Sequence, residues 1–413
     1  MGRANFGHNA QSGPNLYEMN NPTIRVITDL KEFKSLAGVW DNLLQKCGDE
    51  SSIYLTHEWL FTWWQHFGKG KKLNILLVEK ERHVIAIVPL MKTEYKALFI
   101  RFHILETIGA TNYNYIGIIP PENRQEAMAA LLPHLEKALS SNLVLKLSHV
   151  PDDSQVLDLL RRQVALLSND LFMQVRVVTL APYILLTETW EEYFRSISRK
   201  RRAILRQALR LLENSHTVEL QEYTADSLDD GLSEFFDLHQ RRWQSVNIKS
   251  AFSNPKMQEF YRDVSSHFLK RGWLHFSCLM VDNKVASALW SFIYNRKFYA
   301  ATVARDTSYV KYSVGHLHYM YLIKDAIKKH LREFDFLQGE EPYKFYWTTT
   351  ARKYMSVIVI KEGFGSGLRF KYVNAFLLFR RIRQSSLITV YRSYLMKRGW
   401  EKENKRLGFT SPR

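Results

Sequence analysis

The stretch Phe334-Asp335-Phe336-Leu337-Gln338-Gly339-Glu340-Glu341-Pro342-Tyr343-Lys344-Phe345-Tyr346-Trp347 packs unusual chemistry into a short space. Its first residues alternate, which puts Phe334 and Phe336 on one face of a strand and Asp335 and Leu337 on the other. The strand then delivers carboxylates (Asp335, Glu340, Glu341), a phenol (Tyr343), an ammonium (Lys344) and an indole (Trp347) into one segment. Functional sites in α/β sheets gather where strands end. A carboxylate and a tyrosine side by side can take a proton from one reactant and give one to a leaving group. Asp335 or Glu340 is the candidate base, Tyr343 the candidate acid, and Lys344 would hold a phosphate or orient a carboxylate. The alternative is a solvated loop closed by the Lys344 charge, with its aromatics in the core.

Upstream, Lys297 to Ala304 reads as a strand and Arg305 to Ser313 as a polar loop, with a helix starting at Gly315. The first-turn amides of that helix have no intrahelical partner. Glycine lets a ligand approach them, and the positive end of the helix dipole is aimed at the same place. Lys311 and Arg305 add positive charge, and Tyr312, Ser313 and His316 flank the turn. The arrangement suits a pyrophosphate; an ordinary strand-to-helix loop is the plain alternative.

At 413 residues the chain exceeds what one core usually supports. A hydrophobic fraction of 46% is ample for packed domains. The expected architecture is α/β (α+β): two tandem lobes, each a mixed sheet flanked by helices. We divide the chain into a loose arm over 1–23, a first lobe over 24–182, a second over 183–363, and a basic helical tail over 364–413. An internal repeat supports the pairing of lobes. Leu73 to Leu90 registers without a gap on Leu274 to Ser291, so that Val84 falls on Val285 and Ala86 on Ser287, and both copies read as strand, polar turn, strand.

The formal charge of +17 favours polyanionic partners without choosing among nucleic acid, anionic membrane and phosphorylated ligands. Cys47 and Cys278 are far apart in apolar contexts, which argues against a disulfide framework or a zinc site. His316 and His318 do not share a helix face, no metal-binding spacing occurs, and no metal is expected. The polar start lacks an apolar leader, and no apolar run reaches the roughly 18 residues a bilayer requires. The expected compartment is the cytoplasm.

Phe-Asp-Phe-Leu-x-Gly-x-Glu-Pro-Tyr-Lys-x-x-Trp, after an Ala-rich hairpin and a Gly-started helix, resembles the CelD-type branch of the GNAT acetyltransferases. That branch is implicated in bacterial exopolysaccharide biosynthesis and related to the Fem-type transferases. The aromatic helix with Trp59, Trp63, Trp64, Phe67 and Gly68 matches the family. So do the hairpin ending near Pro89, the Arg-rich helix Ser198 to Glu213, and His239-x-Arg241-Arg242-Trp243. The similarity covers roughly residues 25 to 350. It implies two GNAT-like lobes and an acyl-CoA donor in the second, with Tyr312, Ser313 and Gly315 at the phosphate-binding turn. The usual GNAT turn has a basic or amide residue followed by two glycines; here only Gly315 is present, and Val314 stands where the family usually has Pro before that glycine. Acetyl-CoA, a longer acyl-CoA and an aminoacyl-tRNA therefore stay open as donors. The acceptor would be an amine or hydroxyl of a saccharide or envelope precursor. A Fem-like aminoacyl transferase and a non-catalytic double-lobed scaffold are the other readings.

His239, Arg242 and Trp243 are candidates to line the acceptor cleft, as are Asn112, Tyr113 and Trp347, although a histidine on an apolar helix is commonly core. Arg199, Arg202, Arg206 and Arg210 fall near one helix face and read equally as a phosphate or glycan cradle or as a solvated face. The Gly363–Gly367 run lacks the βαβ context of a dinucleotide site and reads as a hinge. The tail mixes aromatic and basic residues and could lie on an anionic membrane or pack back on the body.

Overall fold

The computed structural model describes residues 21–97, 100–109, 117–139, 143–167 and 171–361. The first 20 residues of the arm, the loop holding Asn112 and Tyr113, the Gly363–Gly367 run and the basic tail lie outside these residues.

The elements follow the chain as β1 (Thr23–Ile27), α1 (Leu30–Ser35), α2 (Ala37–Lys46), α3 (His57–Phe67), β2 (Lys71–Lys80), β3 (His83–Ala97) and β4 (Ile100–Thr107). Next come α4 (Arg124–Ala138), β5 (Leu143–Pro151), α5 (Gln155–Leu167), β6 (Leu171–Leu185), α6 (Trp190–Ser196) and α7 (Arg199–Glu213). The remainder is β7 (Val218–Glu222), α8 (Leu228–Gln244), α9 (Pro255–Lys270), β8 (Leu274–Val281), β9 (Lys284–Tyr294), β10 (Lys297–Arg305), α10 (Val314–Lys328), β11 (Glu333–Asp335) and β12 (Ala351–Lys361). Helix starts follow local chemistry. Thr56 caps α3 by accepting from the Trp59 amide, and Ser198 caps α7 by accepting from Arg201.

Among the described residues the strands form one mixed sheet in the order β1-β2-β3-β4-β5-β12-β6-β11-β10-β9-β8-β7. The order exposes the duplication. β1 to β4 pair antiparallel in succession, and β4 then pairs parallel with β5 across α4. β7 to β10 repeat that meander, and β10 pairs parallel with β11 across α10. The repeated hairpin agrees in detail. Its tips, Glu81-Arg82 and Asp282-Asn283, all take positive φ, as a tight two-residue turn demands. Both ladders slip at the matching point, between Val78 and Glu79 and between Leu279 and Met280.

The halves are interlocked. β6, from the end of the first half, pairs with β11 of the second over Tyr183–Leu185, while β12 returns to pair with β5 of the first. β6 and β12 pair with each other along their length. A single strand therefore runs through the expected boundary at 182–183. The cores interlock too. Trp59 of α3 is 7% exposed. Its ring lies 5.3 Å from Phe260 of α9 and 6.3 Å from Phe292 of β9. The aromatic helix of the first half thus helps fill the core of the second.

Candidate functional site

Two sheet faces meet at the site. On one, α10 covers Phe298, Ala300, Phe334 and Phe336. On the other, α8 and α9 cover Tyr299, Ala304 and Leu337. The alternation expected for Phe334 to Leu337 is borne out, with the two phenylalanines under α10 and Leu337 on the opposite face.

β10 pairs with β11 only over Lys297–Tyr299, although β10 runs on to Arg305. Its register with β9 also slips between Tyr299 and Thr302. Past Tyr299 one edge of β10 therefore has no strand beside it. Ala301, Thr302 and Val303 are only partly buried despite lying well inside the sheet. A strand edge of this kind offers backbone donors and acceptors to any extended ligand.

At the far end of β10 the chain turns into α10 through Ser313, which takes a left-handed φ of 54° and makes no side-chain cap bond. The His316 and Leu317 amides turn back to the Ser313 carbonyl. Those of Val314 and Gly315, at the first helical positions, have no helix partner. A Cβ on Gly315 would meet only Arg305 Cδ, at 3.6 Å. The fold itself would accept a side chain there. What glycine provides is an open approach to the amides beside a guanidinium. Lys311 is exposed, with Nζ 4.6 Å from the Tyr312 ring centre. The Tyr312 hydroxyl bonds His216 Nε2 at 2.9 Å, which fixes the loop before the helix.

Beneath α10 lies a buried polar pair of contacts. His318 Nδ1 is 3.0 Å from Ser287 Oγ, and Nε2 is 3.1 Å from Ser277 Oγ. Ser287 Oγ donates to the Ala304 carbonyl, so it accepts from Nδ1–H, and Nε2 accepts from Ser277. The imidazole is neutral, and its complete burial pulls its pKa down to about 3.

The loop after β11 has a fixed shape. Asp335 Oδ1 accepts the Leu337 amide at 2.7 Å, and Leu337 takes φ 60°. Gly339 takes φ 120°, and a Cβ there would collide with the Glu341 carboxylate. Lys344 is buried. Its Nζ donates to the Gln338 carbonyl at 2.6 Å and the Leu337 carbonyl at 3.4 Å, and it pairs with Glu341 at 3.0 Å. Asp335 is also buried, with Arg352 at 3.7 Å, and Arg352 pairs with Glu333 at 3.0 Å. Loss of water raises the Asp335 carboxyl to about 6 against the pull of Arg352. Both residues thus spend their polar atoms inside the protein. Glu340 is exposed and Tyr343 half-buried, the latter stacked on Tyr319 at 5.7 Å.

The loop and the helix start come together. The His316 ring lies 4.5 Å from Tyr346 and 6.0 Å from Trp347. Trp347 is 3% exposed and its indole N–H has no hydrogen-bond partner. α7 buttresses this wall: Arg201 stacks on Tyr346 at 5.1 Å and donates to its carbonyl at 2.8 Å. Arg202 donates to the Arg195 carbonyl at 2.5 Å. Arg199, Arg206 and Arg210 stay exposed.

His239 and Trp243 sit on α8, across the sheet from α10. Trp243 Nε1 donates to His239 Nε2 at 2.9 Å, so Nδ1 carries the proton toward Ser250 Oγ at 2.8 Å. Arg242 donates to Ser245 at 3.3 Å. Arg352 was not considered from sequence, Glu341 appeared there only among the segment's carboxylates, and His318 only as an excluded metal ligand. Glu341 alone carried a signal, a second acid placed three residues before Lys344.

Residues 199–345 match the family model described as the acetyltransferase (GNAT) domain. Over these residues the chain is similar to a GNAT-type acyltransferase domain. Such a domain takes an acyl-CoA as co-substrate and passes the acyl group to an acceptor. The crystal structure of FemX overlays with a TM-score of 0.56 at 11% identity, covering 81% of this chain and 96% of that one. A conserved protein of unknown function from Bacteroides thetaiotaomicron overlays at 0.52 and 11%, covering 82% and 100%. A tandem GNAT protein from the clavulanic acid biosynthesis pathway overlays more loosely, at 0.45 and 10%, covering 83% and 99%. At these identities the first two overlays establish a shared fold across both halves. A search of curated proteins found no significant match. Among the described residues no helix is long and apolar enough to cross a membrane.

Proposed function

We propose that the chain is an acyl-CoA-dependent N- or O-acyltransferase, most simply an acetyltransferase. Its acceptor would be an amine or hydroxyl of a saccharide or cell-envelope precursor, as in the CelD-like exopolysaccharide branch. The observation that carries the reading is the helix start at Ser313 to His316, with approachable amides beside the unpaired edge of β10.

A diphosphate seats on the Val314 and Gly315 amides, with Arg305 and Lys311 supplying charge. The extended arm of the donor lies along β10 from Arg305 back toward Ala301, exchanging backbone hydrogen bonds as an added strand would. The thioester then reaches the wall formed by His316, Tyr343 and Trp347. Tyr343 gives a proton to the departing thiolate, and exposed Glu340 takes one from the acceptor. Asp335 and Lys344 hold the loop that carries Glu340 and Tyr343, which is a positioning role.

Calorimetry with acetyl-CoA tests the reading: saturable heat at about millimolar donor or below is expected, and its absence sinks the proposal. A second reading, transfer from an aminoacyl-tRNA, rests on the exposed Arg199, Arg206 and Arg210 of α7. It would show as RNA binding that falls steeply with salt.

A further inference from the structure

At the other end of α10, three side chains from three elements converge. Glu222 ends β7, His275 lies on β8, and Asp325 is on the last turns of α10. One ligand atom from each lies within 4.8 Å of the others. His275 Nε2 is 3.2 Å from Glu222 Oε1 and 3.6 Å from Asp325 Oδ2. The His275 side chain is only 3% exposed, and neither of its ring nitrogens makes a hydrogen bond of proper geometry. A buried imidazole set between two carboxylates at ion-pair distance, with no well-directed hydrogen bond to either, is unusual, since buried polar groups are nearly always hydrogen-bonded.

We propose that Glu222, His275 and Asp325 form a zinc-type divalent cation site. In tetrahedral coordination at about 2.0–2.1 Å, neighbouring ligand atoms are about 3.4 Å apart. The two separations from Nε2 straddle that value, and the two carboxylate oxygens stand within 4.8 Å of each other, so a metal would have only to draw the three together. One imidazole and two carboxylates suit zinc, with water completing the four positions. No sequence spacing could have announced the site, because each ligand comes from a different element. Gly315 and Asp325 are ten residues apart, about 15 Å along the helix. The metal would therefore brace α10 against β7 and β8 and take no part in acyl transfer.

One cation already stands nearby. Lys329 Nζ lies 2.7 Å from Asp325 Oδ2 and 3.4 Å from Glu222 Oε1. Its side chain is 38% exposed and can swing into solvent. The ammonium and the metal compete for the same two oxygens, and this competition gives the site its signature. Removing the lysine strengthens metal binding, whereas it would merely break an ion-pair cluster if no metal site existed.

The test uses the full chain, stripped with chelator and titrated with Co2+ and then Zn2+. The expected result is one saturable Co2+ per chain with the intense visible absorption of tetrahedral cobalt, displaced by Zn2+. Lys329→Ala should bind about tenfold tighter, and Glu222→Gln, a near-isosteric change, about tenfold or more weaker. Absence of saturable binding in the native chain overturns the proposal, even if Lys329→Ala binds. Binding unaffected by Glu222→Gln overturns it as well, by placing the metal elsewhere.

Discussion

His318 ties α10 to the sheet, and its protonation state should therefore set how the domain tolerates acid. Both ring nitrogens are committed, to Ser287 and Ser277, and the fully buried ring stays neutral down to about pH 3. In the unfolded chain the same group titrates near 6.5. Between those values the unfolded state binds a proton that the native state refuses, so stability falls as pH falls. From pH 8 to pH 5.5 the unfolded form gains RT ln(1 + 10), or about 1.4 kcal/mol, provided that the native pKa lies well below 5.5. His318→Gln removes this linkage. Urea denaturation of both proteins at the two pH values isolates the term from other titrating groups. The native chain should lose about 1.4 kcal/mol more than the variant on acidification. Parallel losses would refute the assignment of a buried neutral imidazole.

Other expectations follow from the same geometry. Gly315→Ala should leave stability unchanged or slightly raised, since the added Cβ meets nothing closer than 3.6 Å, while donor affinity falls about tenfold in calorimetry. Tyr343→Phe with Glu340→Gln should lower kcat by about a hundredfold or more with donor affinity retained, measured by thiol release. Trp59→Ala should cost about 3–5 kcal/mol in chemical denaturation, and loss of stability in both halves together would show their shared core. Asp335→Asn keeps the acceptor for the Leu337 amide and removes a buried charge. It should stabilise the protein above pH 6 by up to roughly 3 kcal/mol and by little at pH 4.

The sequence carried the duplicated hairpin down to the matching turns, because type and period of a two-residue turn are local properties. It carried the strand-loop-helix order around Gly315 for the same reason. It did not announce β6. That strand changes partner near Pro182, and Phe172 and Val177 are exposed on it, so no clean alternation survives. Nor did it reveal that β12 crosses into the first half, a long-range pairing that leaves no local mark. Side-chain roles were hardest. Lys344 reads as a ligand for phosphate until the two carbonyls that it caps are seen. His239 reads as a polar edge until Trp243 and Ser250 are found on its two nitrogens.

The most direct test of the donor assignment is a crystal structure of the chain grown with saturating acetyl-CoA. Diphosphate oxygens should lie about 3 Å from the Val314 and Gly315 amides, with the pantetheine arm beside β10. A donor bound away from α10, or a closed helix start with none bound, would contradict the account.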